Sequence, residues 1–298
     1  MGIKSWGYWL GFDVMKQWRK AIEYHSQLSK RHLPTHKNFL ENYNRKSDTL
    51  FILGNGYSIT ELKESDWDSV KQNDSTGVNG SIYHPFVPDF YMYEPAVTER
   101  QHNFFLQTME KRRGEYQHVP MLIHYPHSIA RKRDFSSLKS WAPIFYNVPV
   151  QVNTPNLGIL KRSIRWFLSS KNTEYYQMHH AASISYIAMM GALMGFKNIV
   201  FLGVDLNDSR YFFHAEDLTK LEEEYRPIHD EIVNDIQKRT SSSVHPTADK
   251  KSVGKYGCIP IVDYFKVLKE EFNKKGIELY TGNPKSRLTE VMDVWKFS

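Results

Sequence analysis

The apolar positions of this chain change period several times, and each change predicts an element. Leu10, Val14, Trp18 and Ile22 recur every four residues with Lys16, Arg19 and Lys20 around them, which predicts an amphipathic helix in an N-terminal extension over residues 1–46. Residues 49–53 form a nearly continuous apolar run, as expected of a strand covered on both faces. The run stops at Gly54-Asn55-Gly56-Tyr57-Ser58, and a short helix is predicted over 59–67. Further short strands are predicted at 76–79, 89–93 and 121–124, with a charged helix at 100–116. Residues 134–158 carry Pro143, Pro149 and Pro155 and read as a loop-rich connection. The clearest helix spans 180–194, with Ile184, Ile187, Ala188, Gly191 and Met194 on one stripe. After Gly195-Phe196, a strand at 198–202 stops at Gly203-Val204-Asp205-Leu206-Asn207. Ile261, Tyr264, Phe265, Leu268 and Phe272 make a later helical stripe, followed by a strand at 277–280 and a last short helix through Leu288, Val291, Met292 and Trp295.

Strands that alternate with helices predict an α/β fold: a Rossmann-like, mostly parallel sheet flanked by helices, built from 47–207 and 259–298. The polar stretch 208–258 between them reads as a small helical lid or acceptor subdomain. The net charge of +6 is dispersed over short clusters such as 111–113 and 131–133 rather than a run, and no nucleic-acid-binding motif accompanies it. The single cysteine, Cys258, excludes an internal disulfide framework and a cysteine-rich zinc site, and points to a reducing, cytoplasmic setting. The longest apolar stretch, 181–206, is broken by Gly195, Lys197 and Asn198 and is not a bilayer span. The aromatic and basic N-terminus suits packing on the domain or, alternatively, a peripheral contact with an anionic inner-membrane surface. Self-association into a homo-oligomer stays open.

In open α/β sheets ligands bind beyond the carboxyl ends of the strands. Gly54–Ser58, Asn79-Gly80-Ser81 and Asp205–Asn207 fall there, with the Glu94-Pro95 corner as a fourth segment. Gly54 and Gly56 lack side chains, so backbone amides can approach a phosphate or ribose beside Asn55. Ser58 suits either ligand contact or a helix cap, and Ser183 and Ser185 pose the same choice at the start of the best helix. No Gly-Lys-Ser/Thr follows Gly56, and a third glycine is missing, so neither a Walker A loop nor a full dinucleotide fingerprint is present. His179-His180 could line a pocket or lie at the surface. His214 and His245 in the lid are candidate general bases. With no His-Glu-x-x-His and no Asp-x-Asp, neither a metal nor a cofactor is expected.

Leu53-Gly54-Asn55-Gly56-Tyr57-Ser58 resembles the opening of the bacterial sialyltransferases of glycosyltransferase family 42. Residues 195–205, Gly-Phe-Lys-Asn-Ile-Val-Phe-Leu-Gly-Val-Asp, resemble that family's helix end, central strand and Gly-Ile-Asp turn, and Asn283-Pro284-Lys285-Ser286-Arg287-Leu288 is similar to its C-terminal segment. The resemblance covers about residues 48–94 and 180–290 and leaves the N-terminal extension, 1–46, and residues 100–178 without a counterpart. It implies a variant GT-A fold, a CMP-activated sialic acid or related keto-sugar acid as donor, a glycan or lipid-linked glycan as acceptor, and metal-independent inversion. It further implies that Asn55, Asn79 and Ser183 contact the donor, that Tyr211 stabilises the departing phosphate, and that His245, or His214 if the assignment slips, deprotonates the acceptor. The family's second phosphate tyrosine falls at Asn207 and its donor-contacting asparagine at Glu94. Two alternatives remain: an ATP- and magnesium-dependent pterin diphosphokinase-like transferase, and a nucleotide-sugar-binding protein without turnover.

Overall fold

A computed structural model describes residues 11–169, 177–208, 210–214, 230–231, 234 and 244–297. Helices α1 (Phe12–Lys30) and α2 (His36–Asn42) precede strand β1 (Thr49–Leu53). Next come α3 (Glu64–Gln72), β2 (Asp74–Val78), β3 (Phe90–Tyr93), α4 (Glu99–Lys111), α5 (Arg113–Tyr116), β4 (Met121–His124) and α6 (Tyr125–Ala130). The middle of the chain supplies α7 (Ser136–Lys139), β5 (Ile144–Asn147), β6 (Pro149–Gln151), α8 (Leu157–Ser169), β7 (Gln177–His179), α9 (Ser183–Leu193) and β8 (Asn198–Leu202). It closes with α10 (Lys250–Gly254), α11 (Ile261–Asn273), β9 (Glu278–Thr281) and β10 (Asp293–Val294).

Eight strands form one sheet in the order β10-β9-β8-β1-β2-β3-β4-β5, and every neighbouring pair is parallel. All eight carboxyl ends therefore share one edge. The chain progresses outward from β1 in one direction through β2 to β5 and in the other through β8 to β10, so the strand order reverses between β1 and β8. That reversal opens a crevice at the carboxyl edge, the usual ligand position in such sheets. β1 is buried along its whole length, as its apolar run requires. Strands β6 and β7 form a separate two-stranded parallel pair.

The helices pack because their small and large residues alternate where the sheet demands. On α9, a Cβ at Gly191 would lie 2.8 Å from Leu50 Cδ2, so the missing side chain lets this helix settle onto β1. Phe265 of α11 meets Phe201 of β8 edge-on at 4.8 Å. Each such fully buried aromatic contributes roughly 1.5–3 kcal/mol of transfer free energy. Below the carboxyl edge, Asp74 is fully buried and accepts from Tyr43 Oη at 2.7 Å and from the amides of Lys46 and Ser47 at 2.9 and 2.8 Å, which anchors the approach to β1.

Three local expectations need correction. Residues 134–158 hold β5 and β6 rather than only loop. Pro143 precedes β5 and Pro149 opens β6, positions where a missing N–H breaks no ladder, so the prolines bracket short strands. Ile22 is 46% exposed, and the buried face of α1 runs through Val14, Ala21 and Leu28, with Trp18 edge-on to Trp166 of α8 at 4.7 Å. Trp295 lies beyond β10, whereas only Arg287–Glu290 is helical, as a 3-10 turn. The Pro34 carbonyl accepts from Tyr146 N at 2.8 Å, so the segment between α1 and α2 covers the β5 edge. Most of the 208–258 lid expectation lies outside the described residues. Among the described residues, no helix is long and apolar enough to cross a membrane.

Candidate active site

The crevice is organised by one buried carboxylate. Asp205, just past β8, accepts from Ser58 N at 2.9 Å, from Ser58 Oγ and from Asn283 Nδ2 at 2.8 Å. It therefore ties together the loops after β1, β8 and β9. Ser286 Oγ reinforces the junction by donating to the Val204 carbonyl at 2.6 Å. The glycines follow from this closeness: a Cβ at Gly54 would lie 2.4 Å from the Gly203 carbonyl oxygen, and one at Gly56 would lie 2.6 Å from Asp205 Oδ2. The two loops also share backbone hydrogen bonds, Gly54 N to the Leu202 carbonyl at 2.8 Å and Gly56 N to the Gly203 carbonyl at 2.7 Å.

Asn79 braces the other side. It sits in the left-handed region at φ 48°, which asparagine tolerates, and its Oδ1 accepts from Glu94 N at 2.8 Å while its Nδ2 donates to Ser183 Oγ at 3.3 Å. One side chain thus joins the ends of β2 and β3 to the start of α9. Ala181 (φ 57°) and Leu206 (φ 63°) border the same crevice in the left-handed region, where a side chain is strained. Ser185 fastens the turn before α9 rather than capping it: its hydroxyl accepts from His180 N at 2.8 Å and donates to the Ala182 carbonyl at 2.7 Å.

These elements enclose a cavity of about 350 Å³. Gly54, Asn55, Gly56, Asn79, Glu94, Ser183, Asp205, Tyr211 and His245 all line it. Two candidates stand apart. Ser58 is buried behind the wall on Asp205, and Asn207 is exposed with its amide donating to the Asp205 carbonyl at 2.8 Å. The side chain of His214 lies outside the described residues. Asn55 lines the cavity, and its Oδ1 is buried without a hydrogen-bond partner among the described residues. Tyr211 reaches the wall because an isolated antiparallel bridge pairs it with Gly56, with Phe212 N donating to the Asn55 carbonyl at 2.9 Å.

His245 is held by its amide, which donates to the Leu206 carbonyl at 2.9 Å, and by the 2.9 Å contact of its Nδ1 with Thr247 Oγ1. Burial pushes its imidazole down to about 4, so the ring is neutral at physiological pH. The Thr247 amide lies 3.4 Å from the same Nδ1; in the tautomer whose Nδ1 donates to Thr247 Oγ1, the lone pair of Nε2 is free to take a proton.

A second cavity of about 640 Å³ adjoins the first and shares Glu94, His179, Ala181 and Thr247 with it. It extends past His127, Arg131 and Gln151 towards Lys255 and Tyr256. A third hollow, of about 610 Å³, lies at the opposite end of the sheet around residues 43–48, away from the carboxyl edge.

Sequence reasoning singled out neither Arg210 nor His124 and His127, and it placed His179-His180 at either a pocket wall or the surface. Arg210 lines the first cavity, stacks its guanidinium 4.2 Å over the Tyr57 ring and pairs with Asp208 at 2.6 Å. The adjacent histidines 179 and 180 diverge. His180 is fully buried, stacked on Tyr264 at 5.0 Å, with Nδ1 2.7 Å from the Val152 carbonyl. His179 Nδ1 lies 2.7 Å from Gln151 Oε1 and its Nε2 lies 3.4 Å from Glu94 Oε1. Burial pushes the Glu94 carboxyl up, but the imidazoles of His179, His124 and His127 more than offset it, leaving Glu94 ionised well below the usual carboxylate range. The available signal was His124-Tyr-Pro-His127, two histidines three apart at the end of a strand.

No protein-family model and no curated protein matches this chain. Among solved structures, it is similar to the sialyltransferase CST-II in complex with a trisaccharide acceptor and CMP, with 14% identity, a TM-score of 0.41, and coverage of 84% of this chain and 86% of that one. It is similar to CstII from Campylobacter jejuni in complex with the substrate analogue CMP-3FNeuAc at 14% identity and a TM-score of 0.44 over the same shares. It is also similar to the MAf glycosyltransferase from Magnetospirillum magneticum AMB-1 at 11% identity and a TM-score of 0.45, over 83% of this chain and 33% of that one. Likenesses this weak assign no role to any residue.

Proposed function

We propose that this chain is a glycosyltransferase that moves a sialic acid-like keto-sugar from a CMP-activated donor to a glycan acceptor. One observation carries the reading. The glycine loop after β1 and the start of α9 are more than a hundred residues apart in sequence, yet they face each other across one cavity at the point where the strand order reverses.

In this reading the nucleotide phosphate lies between Asn55 of the 54–56 loop, whose glycine amides are committed to the facing carbonyls, and the amides opening α9, where the helix dipole favours negative charge. Asn55 Oδ1 accepts from the donor. The anomeric bond to the phosphate breaks through an oxocarbenium-like state, and the Tyr211 hydroxyl and the α9 amides hold the departing charge. The acceptor enters from the adjoining 640 Å³ cavity, and His245 Nε2 takes its hydroxyl proton. The resemblance to the family 42 sialyltransferases in residues 53–58 and 195–205 supports the choice of a CMP donor.

A thermal-shift series with CMP, CDP, UDP and ATP, with and without magnesium, followed by donor hydrolysis, tests this. Stabilisation by CMP and hydrolysis abolished in His245→Ala are the expected results. Stabilisation by ATP with magnesium alone would instead favour a diphosphokinase, and CMP binding without turnover would leave a binding protein.

A further inference from the structure

The geometry points to a divalent-metal site, of the zinc class, at the junction of the two cavities. Glu94, His124 and His127 each present a ligand atom, and the three atoms lie within 4.8 Å of one another. His179 Nε2 joins them at 3.4 Å from Glu94 Oε1. A tetrahedral zinc with bonds of about 2.0 Å holds its donor atoms roughly 3.3 Å apart, so the Glu94–His179 spacing already fits and the spacings among Glu94, His124 and His127 close by about 1.5 Å at most. The set of three imidazoles and one carboxylate suits zinc by ligand type.

The independent observation is the unmet hydrogen bonding. Glu94 Oε1, His124 Nε2, His127 Nδ1 and His179 Nε2 are all buried and all without a hydrogen-bond partner among the described residues. His124 is only 2% exposed and His179 only 7%. Three of these atoms converge, with His179 Nε2 beside Glu94, and orphaned polar atoms so placed are costly unless a cation joins them. The tautomer of His179 sharpens this. Its Nδ1 lies 2.7 Å from Gln151 Oε1, and the neutral ring that donates there presents an Nε2 lone pair to a metal beside Glu94 Oε1. A metal between these two atoms bonds to both, taking the place of the imidazole proton through which His179 otherwise holds the Glu94 carboxylate. Gln151 then plays the part of the outer partner that fixes a ligating histidine.

His124 sets a cost. Its Nδ1 accepts the His127 amide at 3.2 Å as the cap of α6, and ligation through Nε2 shifts the ring proton onto Nδ1 and opens that cap. His127, Glu94 and His179 border the larger cavity, which gives the ion a path in and leaves a coordination position facing solvent or substrate. Resting on the transferase reading, the ion also answers a difficulty of charge: it neutralises Glu94, which otherwise faces an anionic donor.

Zinc alone, titrated into the chelator-stripped full chain in competition with a chromophoric chelator, tests the site without any sugar nucleotide. One equivalent binding with Kd of about 1 μM or tighter is expected. His127→Ala and Glu94→Gln should each weaken it by about 100-fold or more, and Gln151→Ala, which touches no metal, by about 10-fold. Should the variants not fold, a zinc-edge anomalous peak between Glu94, His124 and His127 in wild-type crystals supports the site. A peak elsewhere, no saturable zinc binding by the folded wild type, or binding retained by both folded ligand variants overturns it.

Discussion

Asp205 accepts both the amide and the hydroxyl of Ser58, 147 positions earlier in the chain, and so holds the β1 loop against the β8 loop. The pair is buried, and Asn283 adds a third donor to the same carboxylate. Asp205→Asn points an amide N–H₂ at one of those donors and leaves it unsatisfied. Urea denaturation should show a loss of about 2 kcal/mol, against about 1 kcal/mol for Ser58→Ala, which deletes a single donor. Equal and negligible effects would mean that the three loops are held by other contacts.

The β1 loop tolerates no side chain at two positions. Gly54→Ala and Gly56→Ala place a methyl 2.4 and 2.6 Å from oxygen atoms of the facing loop, in the first case a backbone carbonyl that cannot swing away. Both changes should cost about 2 kcal/mol or more and abolish nucleotide-induced stabilisation. Gly114 is the control: it lies in α5 with nothing within 4 Å of a built Cβ, and Gly114→Ala should be neutral or stabilising by about 0.5–1 kcal/mol. A thermal-shift comparison of the three proteins decides the point.

The sheet was readable because buried parallel strands advertise themselves. Residues 49–53, 121–124 and 198–202 are strands at the predicted limits. Strands β5 and β6 were hidden by Pro143 and Pro149, which signal loops locally although they are harmless at strand starts. The crevice residues were recoverable from one rule, that loops at carboxyl ends meet ligands. Sequence could not show that Ser58 turns inward to Asp205 while Asn207 turns out, because both follow glycine turns of similar composition. The histidine cluster was hidden for a related reason. His124 and His127 come from β4 and α6, whereas His179 ends β7 in the second sheet, and only the packing of the two sheets brings them to Glu94.

Asn55 separates binding from stability. Its Oδ1 is a buried acceptor with no partner among the described residues, so the folded chain gains nothing from it. Asn55→Ala removes that cost and should leave Tm unchanged or slightly raised. Donor KM should rise roughly tenfold, the loss of one hydrogen bond of about 1.4 kcal/mol. Isothermal titration with CMP beside calorimetric unfolding measures both, and a fall in Tm without a change in affinity would make Asn55 a structural residue.

His245 carries a pH signature whose sign follows from its environment. Its folded-state value of about 4 lies below the ordinary 6.5, because burial disfavours the charged ring. The neutral ring's contribution to stability is therefore complete above 6.5 and is lost as pH falls through about 4, a change on the order of 3 kcal/mol. As a base, His245 stays competent well below neutrality, so kcat/KM for transfer should hold level from pH 7 to about 5 and fall only towards 4. His245→Ala should lower kcat by about 10²–10⁴ and remove that acid limb. Thr247→Val deprives Nδ1 of its 2.9 Å partner, which frees the ring to turn Nε2 away, so kcat should drop while KM is kept. An acid limb near 6.5 that survives in His245→Ala would move the proton transfer to a different group.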